Sequence, residues 1–336
     1  MRQSRRHNAL IWPAACIAIA LLPLLSKAQT ASADIVVAAD GTGQYTSIQE
    51  AISDAPIGLA DHWITIRVKP GIYHEMIYVQ RERGHIRLVA DDPDPANTVI
   101  TYDLNAKMPG SDGKPIGTFR TPTVYIDADD FTAENITFSN SAGPVGQALA
   151  LRVDGDRVAF RNCRFTGWQD TILDNRGRHY YDRCDITGAV DFIFGGGNAV
   201  YDHCTITQLR DKGGDLTAPS TPQGQQYGLT FLSCRLTGAE GVQPATTGLM
   251  RPWRPYGEST FIDCSMDASI KPEGWDTWSG REKTCRAYEY GSVSLADGKP
   301  VDISRRASWS HELSKADAAN YTLKTIFQDW DPKAAE

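Results

Sequence analysis

Two aspartates in the middle of the chain, Asp170 and Asp191, lie in short apolar runs, where charged side chains are rare. Each follows a cysteine, Cys163 or Cys184, by seven residues, and the phrases around these cysteines, FRNCRFTG and YDRCDITG, are nearly alike. In a repeating fold, equal distances from equal landmarks place two residues side by side. Because two adjacent carboxyl groups cannot both ionise cheaply, such a pair supplies a proton donor together with an anionic nucleophile.

Spacing by itself leaves two alternatives open. Asp211 follows Cys204 by the same seven residues, so three aspartates satisfy the pattern instead of two. Aspartates that stack along a repeating fold can also accept hydrogen bonds from backbone amides at turns, which is a purely structural role.

Neighbouring residues favour the catalytic interpretation. Gln169 stands next to the first aspartate and Gln147 lies 22 residues upstream, about one repeat, so both amides can face one point and stabilise an oxyanion. Arg251 can hold a carboxylate ionised through a two-point hydrogen bond. Trp253 and Phe194 can stack on a sugar. A single arginine or tryptophan is more often structural, and the combination carries the argument.

Other hydrolytic mechanisms have little support in the sequence. It contains no Gly-x-Ser-x-Gly, His-Glu-x-x-His or Cys-x-x-Cys pattern, and its seven histidines are scattered without metal-ligand spacing. We therefore expect carboxylate chemistry without a metal or another cofactor.

The cysteine phrase belongs to a longer repeat. Starting from Ile136, the equivalent positions follow at gaps of 27, 21, 20, 30 and 30 residues, at Cys163, Cys184, Cys204, Cys234 and Cys264. Because the unit consists of short strands and turns, the period indicates a solenoid of strands. The prediction is an all-β, single-domain, right-handed parallel β-helix over residues 34–336. Residues one coil apart then lie about 4.8 Å apart, and the longer gaps become loops that form a groove.

The two ends of the predicted core differ in content. Near the N-terminus, Ser47 begins a short amphipathic helix that Pro56 ends, and such a helix is expected to cap the open end of the β-helix. The shared position of the cysteines places them in an interior stack. They form either a disulfide, for which Cys184–Cys204 is the favoured pair, or a row of small buried side chains.

Residues 1–28 have the pattern of a secretory signal peptide. A basic start precedes an apolar run over residues 9–25, and Ala28 ends a plausible cleavage site. A membrane anchor is the alternative, but Pro13 and Pro23 interrupt the run, which is short for a span. We expect a secreted protein, extracellular or periplasmic if retained, that is not held in a membrane.

Charge excludes one class of partner. Removal of residues 1–28 leaves 30 basic and 41 acidic residues, a balance of −11. A net negative chain without a basic run is a poor nucleic-acid binder. A monomer is expected.

Five short blocks of the sequence resemble, in order, the signature blocks of pectin methylesterases. They are GIYHE at 71–75, QALAL at 147–151, QDTI at 169–172, DFIFG at 191–195 and LMRPW at 249–253. The resemblance extends from about residue 34 to the C-terminus and implies a parallel β-helix enzyme that hydrolyses galacturonate methyl esters in pectin.

The resemblance also implies roles for individual residues. Asp191 attacks the ester carbonyl, and Asp170 protonates the departing methanol and then activates water. Gln147 and Gln169 stabilise the tetrahedral intermediate, and Arg251 keeps the nucleophile ionised.

Substrate contacts are implied for Trp253, Phe194 and Thr123, whereas no metal and no role for Asp211 are implied. Met250, Leu173 and Trp278 depart from the residues usual in the family, which puts the substrate pattern in question but not the ester chemistry. The alternatives are a related esterase or thioesterase with another substrate, a pectin-cleaving lyase or glycosidase, and a non-catalytic carbohydrate-binding solenoid.

Overall fold

Three parallel sheets, stacked around one core, run along the chain in a computed structural model that describes residues 34–334. The predicted signal peptide at residues 1–28 lies outside the described residues. Each central coil contributes one strand to each sheet in turn, and the strands of successive coils pair in parallel. The prediction of an all-β parallel β-helix is confirmed.

Strands are numbered here in chain order. The eleven-stranded sheet of the described chain consists of β1 (Ile35–Val37), β2 (Ile64–Val68), β5 (Ile86–Ala90), β8 (Phe131–Glu134), β11 (Val158–Arg161), β14 (Arg178–Asp182), β17 (Asn198–Asp202), β20 (Leu229–Leu232), β23 (Glu258–Ile262), β25 (Arg286–Tyr290) and β27 (His311–Glu312). The nine-stranded sheet consists of β3 (Gly71–His74), β6 (Thr98–Tyr102), β9 (Thr137–Asn140), β12 (Arg164–Thr166), β15 (Asp185–Gly188), β18 (Thr205–Gln208), β21 (Arg235–Gly238), β24 (Ser265–Met266) and β26 (Val293–Ser294).

Most of the predicted site residues lie at the strands of the seven-stranded sheet. In spatial order it consists of β4 (Ile77–Val79), β7 (Val124–Ile126), β10 (Leu151–Val153), β13 (Ile172–Asp174), β16 (Ile193–Gly195), β19 (Asp215–Pro219) and β22 (Gly248–Met250). Its outer face forms the floor of a groove.

An aromatic stack fills the centre of the core. Phe160, Tyr181, Tyr201, Phe231 and Phe261 occupy one register position on successive strands of the eleven-stranded sheet. Their ring centroids are 5.0, 4.4, 4.7 and 4.5 Å apart, and all the rings are fully buried. Because each coil repeats the same inward position, the side chains fix the register of the coils that carry the site.

The interior cysteines are free thiols. Cys184 and Cys204 are buried on adjacent coils, as their spacing predicted, but they are not bonded to each other. The Cys184 thiol lies 3.6 Å from the Phe160 carbonyl oxygen and contacts backbone. Of the two alternatives for the cysteines, the structure therefore has the row of small buried side chains and not the disulfide.

Helices occupy the two ends and the outside of the described chain. Helix α1 (Ile48–Asp54) buries Ile48, Ala51 and Ile52 against the first coil. The Glu75 carboxylate accepts hydrogen bonds from the backbone amides of Ile48 and Gln49, at 2.8 and 3.1 Å, so part of the GIYHE block anchors this cap.

Near the C-terminus, α2 (Lys315–Ala318) and α3 (Leu323–Phe327) lie outside the coils, and Phe327 packs edge-on against Tyr180 of the eleven-stranded sheet. Three 3-10 turns occur in loops, at Pro95–Asn97, Thr118–Arg120 and Arg281–Lys283. The last two belong to loops that border the groove.

Candidate active site

Strand register brings Asp170 and Asp191 together. Ile172 pairs with Ile193 across β13 and β16, so the aspartates two residues before each strand occupy adjacent rungs, about 4.8 Å apart in backbone position. Both have left-handed backbones, with φ of 62° and 50°. This conformation turns the chain at the sheet edge, and it is uncommon for any residue except glycine. The adjacency that the cysteine spacing predicted is therefore present.

Arg251 distinguishes one carboxyl group of the pair from the other. Its Nε and a terminal nitrogen donate hydrogen bonds of 2.7 and 2.5 Å to the two oxygens of Asp191. Burial raises the pKa of Asp191, and the hydrogen bonds and charge of Arg251 oppose this rise. Arg251 thus favours the ionised form of Asp191, as a nucleophile requires.

Asp170 lies in a different environment. Its carboxyl group is buried and accepts no hydrogen bond from the residues that the structure describes. Burial, followed by the negative charge of Asp191, raises the pKa of Asp170 to about 8, and Arg251 offsets only part of this shift. Asp170 therefore keeps its proton at neutral pH and can serve as an acid.

Two amides complete the polar part of the site. Gln147 and Gln169 occupy adjacent rungs joined by backbone bridges, and Gln169 pairs in turn with Val190. Their side chains have no hydrogen-bond partner within residues 34–334 and line the same cavity as the aspartates. Two free N–H donors can therefore bind an oxygen that becomes negatively charged.

Aromatic side chains form the walls of this cavity, which has a volume of about 320 Å³. The ring centroid of Phe194 is 5.7 Å from that of Trp253, and the ring centroid of Phe119 is 6.3 Å from that of Trp253. Trp278 covers Arg251, whose guanidinium carbon is 4.3 Å from the ring centroid. An apolar wall over a polar floor suits a flat sugar ring with one reactive polar group.

Comparison with known proteins identifies the family. A family model described as Pectinesterase matches residues 34–329. The chain belongs to the pectinesterase family. It is 39% identical to Pectinesterase 31 of Arabidopsis thaliana over 293 residues, which cover 85% of this chain and 89% of that protein. It is 35% identical to Putative pectinesterase 11 of the same plant, covering 86% and 78% of the two chains.

Solved structures support the same assignment. Pectin methylesterase from carrot superposes with a TM-score of 0.79 at 30% identity, covering 89% of this chain and 94% of that one. PemA, the pectin methylesterase of Erwinia chrysanthemi, gives a TM-score of 0.75 at 28% identity, covering 89% and 98%. The predicted family, fold and enzyme class, a carboxylic ester hydrolase, are confirmed.

Two residues named in the sequence analysis lie elsewhere in this pectinesterase. Thr123 is fully buried, and its hydroxyl donates a 2.8 Å hydrogen bond to the Ser139 carbonyl. It lies outside the lining of the cavity, so the structure does not place it where it can contact substrate. Asp211 is exposed at a turn and accepts a hydrogen bond from the Lys212 amide, which leaves Asp170 and Asp191 as the pair in the cavity.

Sequence reasoning missed several residues around the pectinesterase site. Thr118 and Phe119 line the cavity from a loop outside the coil repeat, and Ala218 and Trp278 also belong to its lining.

Asp215 was missed as well. It occupies the third rung, directly after Asp191, because the Asp191 amide donates to its carbonyl and Ile193 pairs with Thr217. One signal could have found it: Asp215 precedes the strand residues LTAPS just as Asp191 precedes FIFGG.

Another cleft, of about 870 Å³, lies beside the last coils and does not offer comparable chemistry. Its least exposed carboxylate, Asp267, already accepts hydrogen bonds from Ser269, Thr237 and the Gly238 amide. Within residues 34–334, no cluster of three His, Cys, Asp or Glu side chains could hold a metal, and no helix is long and apolar enough to span a membrane.

Proposed function

We propose that this pectinesterase hydrolyses the methyl esters of galacturonate units in pectin, with Asp191 as nucleophile and Asp170 as general acid and base. One observation carries the proposal: of two adjacent buried carboxyl groups, one is paired with Arg251 and the other accepts no hydrogen bond from any residue between 34 and 334. Opposite environments give the pair opposite protonation states, which is the requirement for nucleophile and acid at one pH.

The first half of the reaction forms an acyl-enzyme. A carboxylate oxygen of Asp191 attacks the ester carbonyl carbon, and the oxygen that becomes negative accepts hydrogen bonds from Gln147 and Gln169. Asp170 gives its proton to the methoxy oxygen as the carbon–oxygen bond breaks. Methanol leaves, and the galacturonyl group remains attached to Asp191 as an anhydride.

In the second half, the ionised Asp170 acts as a base. It takes a proton from water, whose oxygen attacks the anhydride at the galacturonyl carbonyl carbon, and Asp191 leaves as a carboxylate. The product is a free galacturonate carboxyl group, and Asp170 carries its proton again. Trp253 and Phe194 hold the sugar ring against the floor of the cavity. The relatives with solved structures support pectin as the substrate, since one was determined in complex with a hexasaccharide.

The test is methanol release from highly methylated pectin, with the length of the polymer measured in parallel. Asp191→Asn is expected to reduce turnover by about 10³-fold or more, because loss of a nucleophile removes the covalent route. Asp211→Asn is the matched control, as this aspartate shares the cysteine spacing but lies outside the cavity, and it should retain full activity.

Two results contradict the proposal. Shortened or unsaturated chains without methanol indicate a pectin-cleaving enzyme instead. If folded Asp191→Asn releases methanol as fast as the wild type, Asp191 is not the nucleophile. If the wild type is folded but releases no methanol, the same assay with other esters and thioesters decides between another substrate and a non-catalytic role.

A further inference from the structure

A third carboxyl group lies beneath the proposed catalytic pair. Asp215 begins β19, one rung beyond Asp191, and only 6% of the residue is exposed. Its Oδ2 is 3.6 Å from the Nε of Arg251, the nitrogen that donates to Asp191. Its Oδ1 is buried and has no hydrogen-bond partner among the described residues. A buried carboxyl oxygen without a hydrogen-bond partner is unusual in a folded protein and needs an explanation.

The space around Asp215 is shaped to hold this side chain. Gly248 faces it from β22, and a Cβ atom at that glycine would lie only 2.2 Å from the Asp215 Oδ1. The same Cβ atom would be 3.2 Å from the Cε of Lys271, so the lysine stem closes the pocket. Any residue larger than glycine at position 248 would displace the carboxyl group.

The charges that face Asp215 come from three elements. Asp191 precedes β16, Arg251 follows β22, and Lys271 and Asp276 belong to the loop after β24. Lys271 forms an ion pair with Asp276, so its charge is already compensated. Arg251 likewise makes both of its short hydrogen bonds with Asp191. Both cations near Asp215 are therefore shared with another carboxylate, and among the described residues neither donates a hydrogen bond to Asp215.

The protonation state follows from these surroundings. Burial, followed by the negative charge of Asp276, raises the pKa of Asp215, whereas Lys271 and Arg251 oppose the rise. Asp215 is therefore neutral when the enzyme works near neutral pH. A neutral carboxyl group does not compete with Asp191 for the arginine, yet its oxygen still faces the Nε of Arg251.

We propose that Asp215 is a positioning residue, a buried side chain whose oxygen packs against the Nε of Arg251 and fixes its guanidinium against the nucleophile Asp191. The inference rests on the proposed role of Asp191. It predicts that the side-chain oxygen matters and that a negative charge on it does not.

Three substitutions separate these properties. Asp215→Asn keeps the shape and an oxygen towards Arg251, and its kcat should stay within about 3-fold of the wild type. Asp215→Leu keeps the branching of the side chain but replaces the two oxygens with larger methyl groups, and Asp215→Ala removes both the branch and the oxygens. For these two, kcat should fall by about 10-fold or more, because small displacements in an active site have large effects. KM should remain within about 2-fold, since Asp215 does not line the cavity.

The pH profile provides a readout that a purely structural role would not change. A loosely held Arg251 favours ionised Asp191 less, so the pKa of Asp191 rises. The acid limb of the kcat profile should therefore move to higher pH by about half a unit or more in Asp215→Leu and Asp215→Ala, but not in Asp215→Asn. Thermal unfolding of each variant identifies any that does not fold, and Asp215→Leu still provides a branched side chain if Asp215→Ala unfolds.

Either of two outcomes overturns the inference. If Asp215→Asn loses as much kcat as Asp215→Leu, the negative charge and not the oxygen is what Arg251 requires. If folded Asp215→Leu matches the wild type in kcat and acid limb, Asp215 only fills space. Failure of the proposed function is recognised separately, because Asp191→Asn then retains methanol release whatever the Asp215 variants do.

Discussion

Asp170 and Asp174 lie four residues apart on one coil, and their carboxyl groups have opposite surroundings. Asp174, at the end of β13, is completely buried and accepts three hydrogen bonds: 2.6 Å from His179, 2.8 Å from Tyr181 and 2.5 Å from Tyr201. Burial opposes a charge on His179, but the carboxylate of Asp174 outweighs it and raises the pKa of the imidazole. Asp170 has no such donors in the part of the chain that the structure describes.

The comparison shows two ways in which a fold accommodates a buried acid. At Asp174, two tyrosine hydroxyls and an imidazole replace the water lost on folding, and the group becomes part of the core. At Asp170 the lost hydration is not replaced, so the cost of burial appears as a raised pKa. The first arrangement stabilises the coil, and the second leaves a proton on Asp170, where the proposed function requires an acid.

Among the changes that test this comparison, removal of the Asp170 carboxyl proton should have the largest effect on activity. Asp170→Asn should reduce kcat for methanol release by about 10²- to 10⁴-fold, the usual contribution of a positioned general acid or base. Its melting temperature should equal or exceed that of the wild type, because a buried acid without a partner is replaced by a neutral group. A variant that is both folded and active contradicts the role of Asp170.

Substitution of Asp174 is expected to have the opposite result, a loss of stability with activity retained. Asp174→Ala leaves His179, Tyr181 and Tyr201 buried without their acceptor, and should lower the free energy of unfolding by about 3 to 5 kcal/mol. Molecules that remain folded should release methanol at close to the wild-type kcat. Urea unfolding with an activity assay on the folded fraction measures both quantities.

Tyr201→Phe is the graded control, because it removes one donor and should lower the free energy of unfolding by about 1 to 2 kcal/mol. An Asp174→Ala protein of unchanged stability, or one that is stable but inactive, would show that the two acids do not differ as the comparison claims.

The sequence predicted the site wherever the repeat is regular. Asp170 and Asp191 keep one distance from their cysteines because the coils between Cys163 and Cys204 have 21 and 20 residues. The next coil carries extra residues before its strand, so Asp215 lies eleven residues after Cys204 instead of seven. The seven-residue spacing therefore selected Asp211, which is exposed, and not Asp215.

Residues on loops were harder to predict, since loop positions follow from packing and not from the coil period. Phe119 and Trp278 reach the cavity from loops outside the seven-stranded sheet. For the cysteines, the sequence predicted the positions but not the oxidation state. Equal spacing correctly stacked Cys184 and Cys204, but spacing does not decide whether stacked thiols oxidise.

A pH dependence of stability also distinguishes Asp170 from Asp174. The pKa of Asp170 is about 8 in the folded protein, against an ordinary value of 3.8 for an aspartate. Between these values the folded state holds a proton that the unfolded state has lost, so this group makes stability fall as pH rises from about 4 to about 8. Asp170→Asn removes the dependence. Its stability relative to the wild type should therefore grow by up to about 1.4 kcal/mol per pH unit in this window and level off above it.

Urea unfolding at a series of pH values measures this difference in stability. The same comparison in a second variant tests the cause of the raised pKa. The charge of Asp191 is the second largest cause of the raised pKa of Asp170. In an Asp191→Asn background the pKa of Asp170 should fall, so the upper end of the window should move to lower pH. A difference between wild type and Asp170→Asn that is constant from pH 4 to 8 would mean that Asp170 is ionised throughout. In that case it could not be the group that protonates methanol.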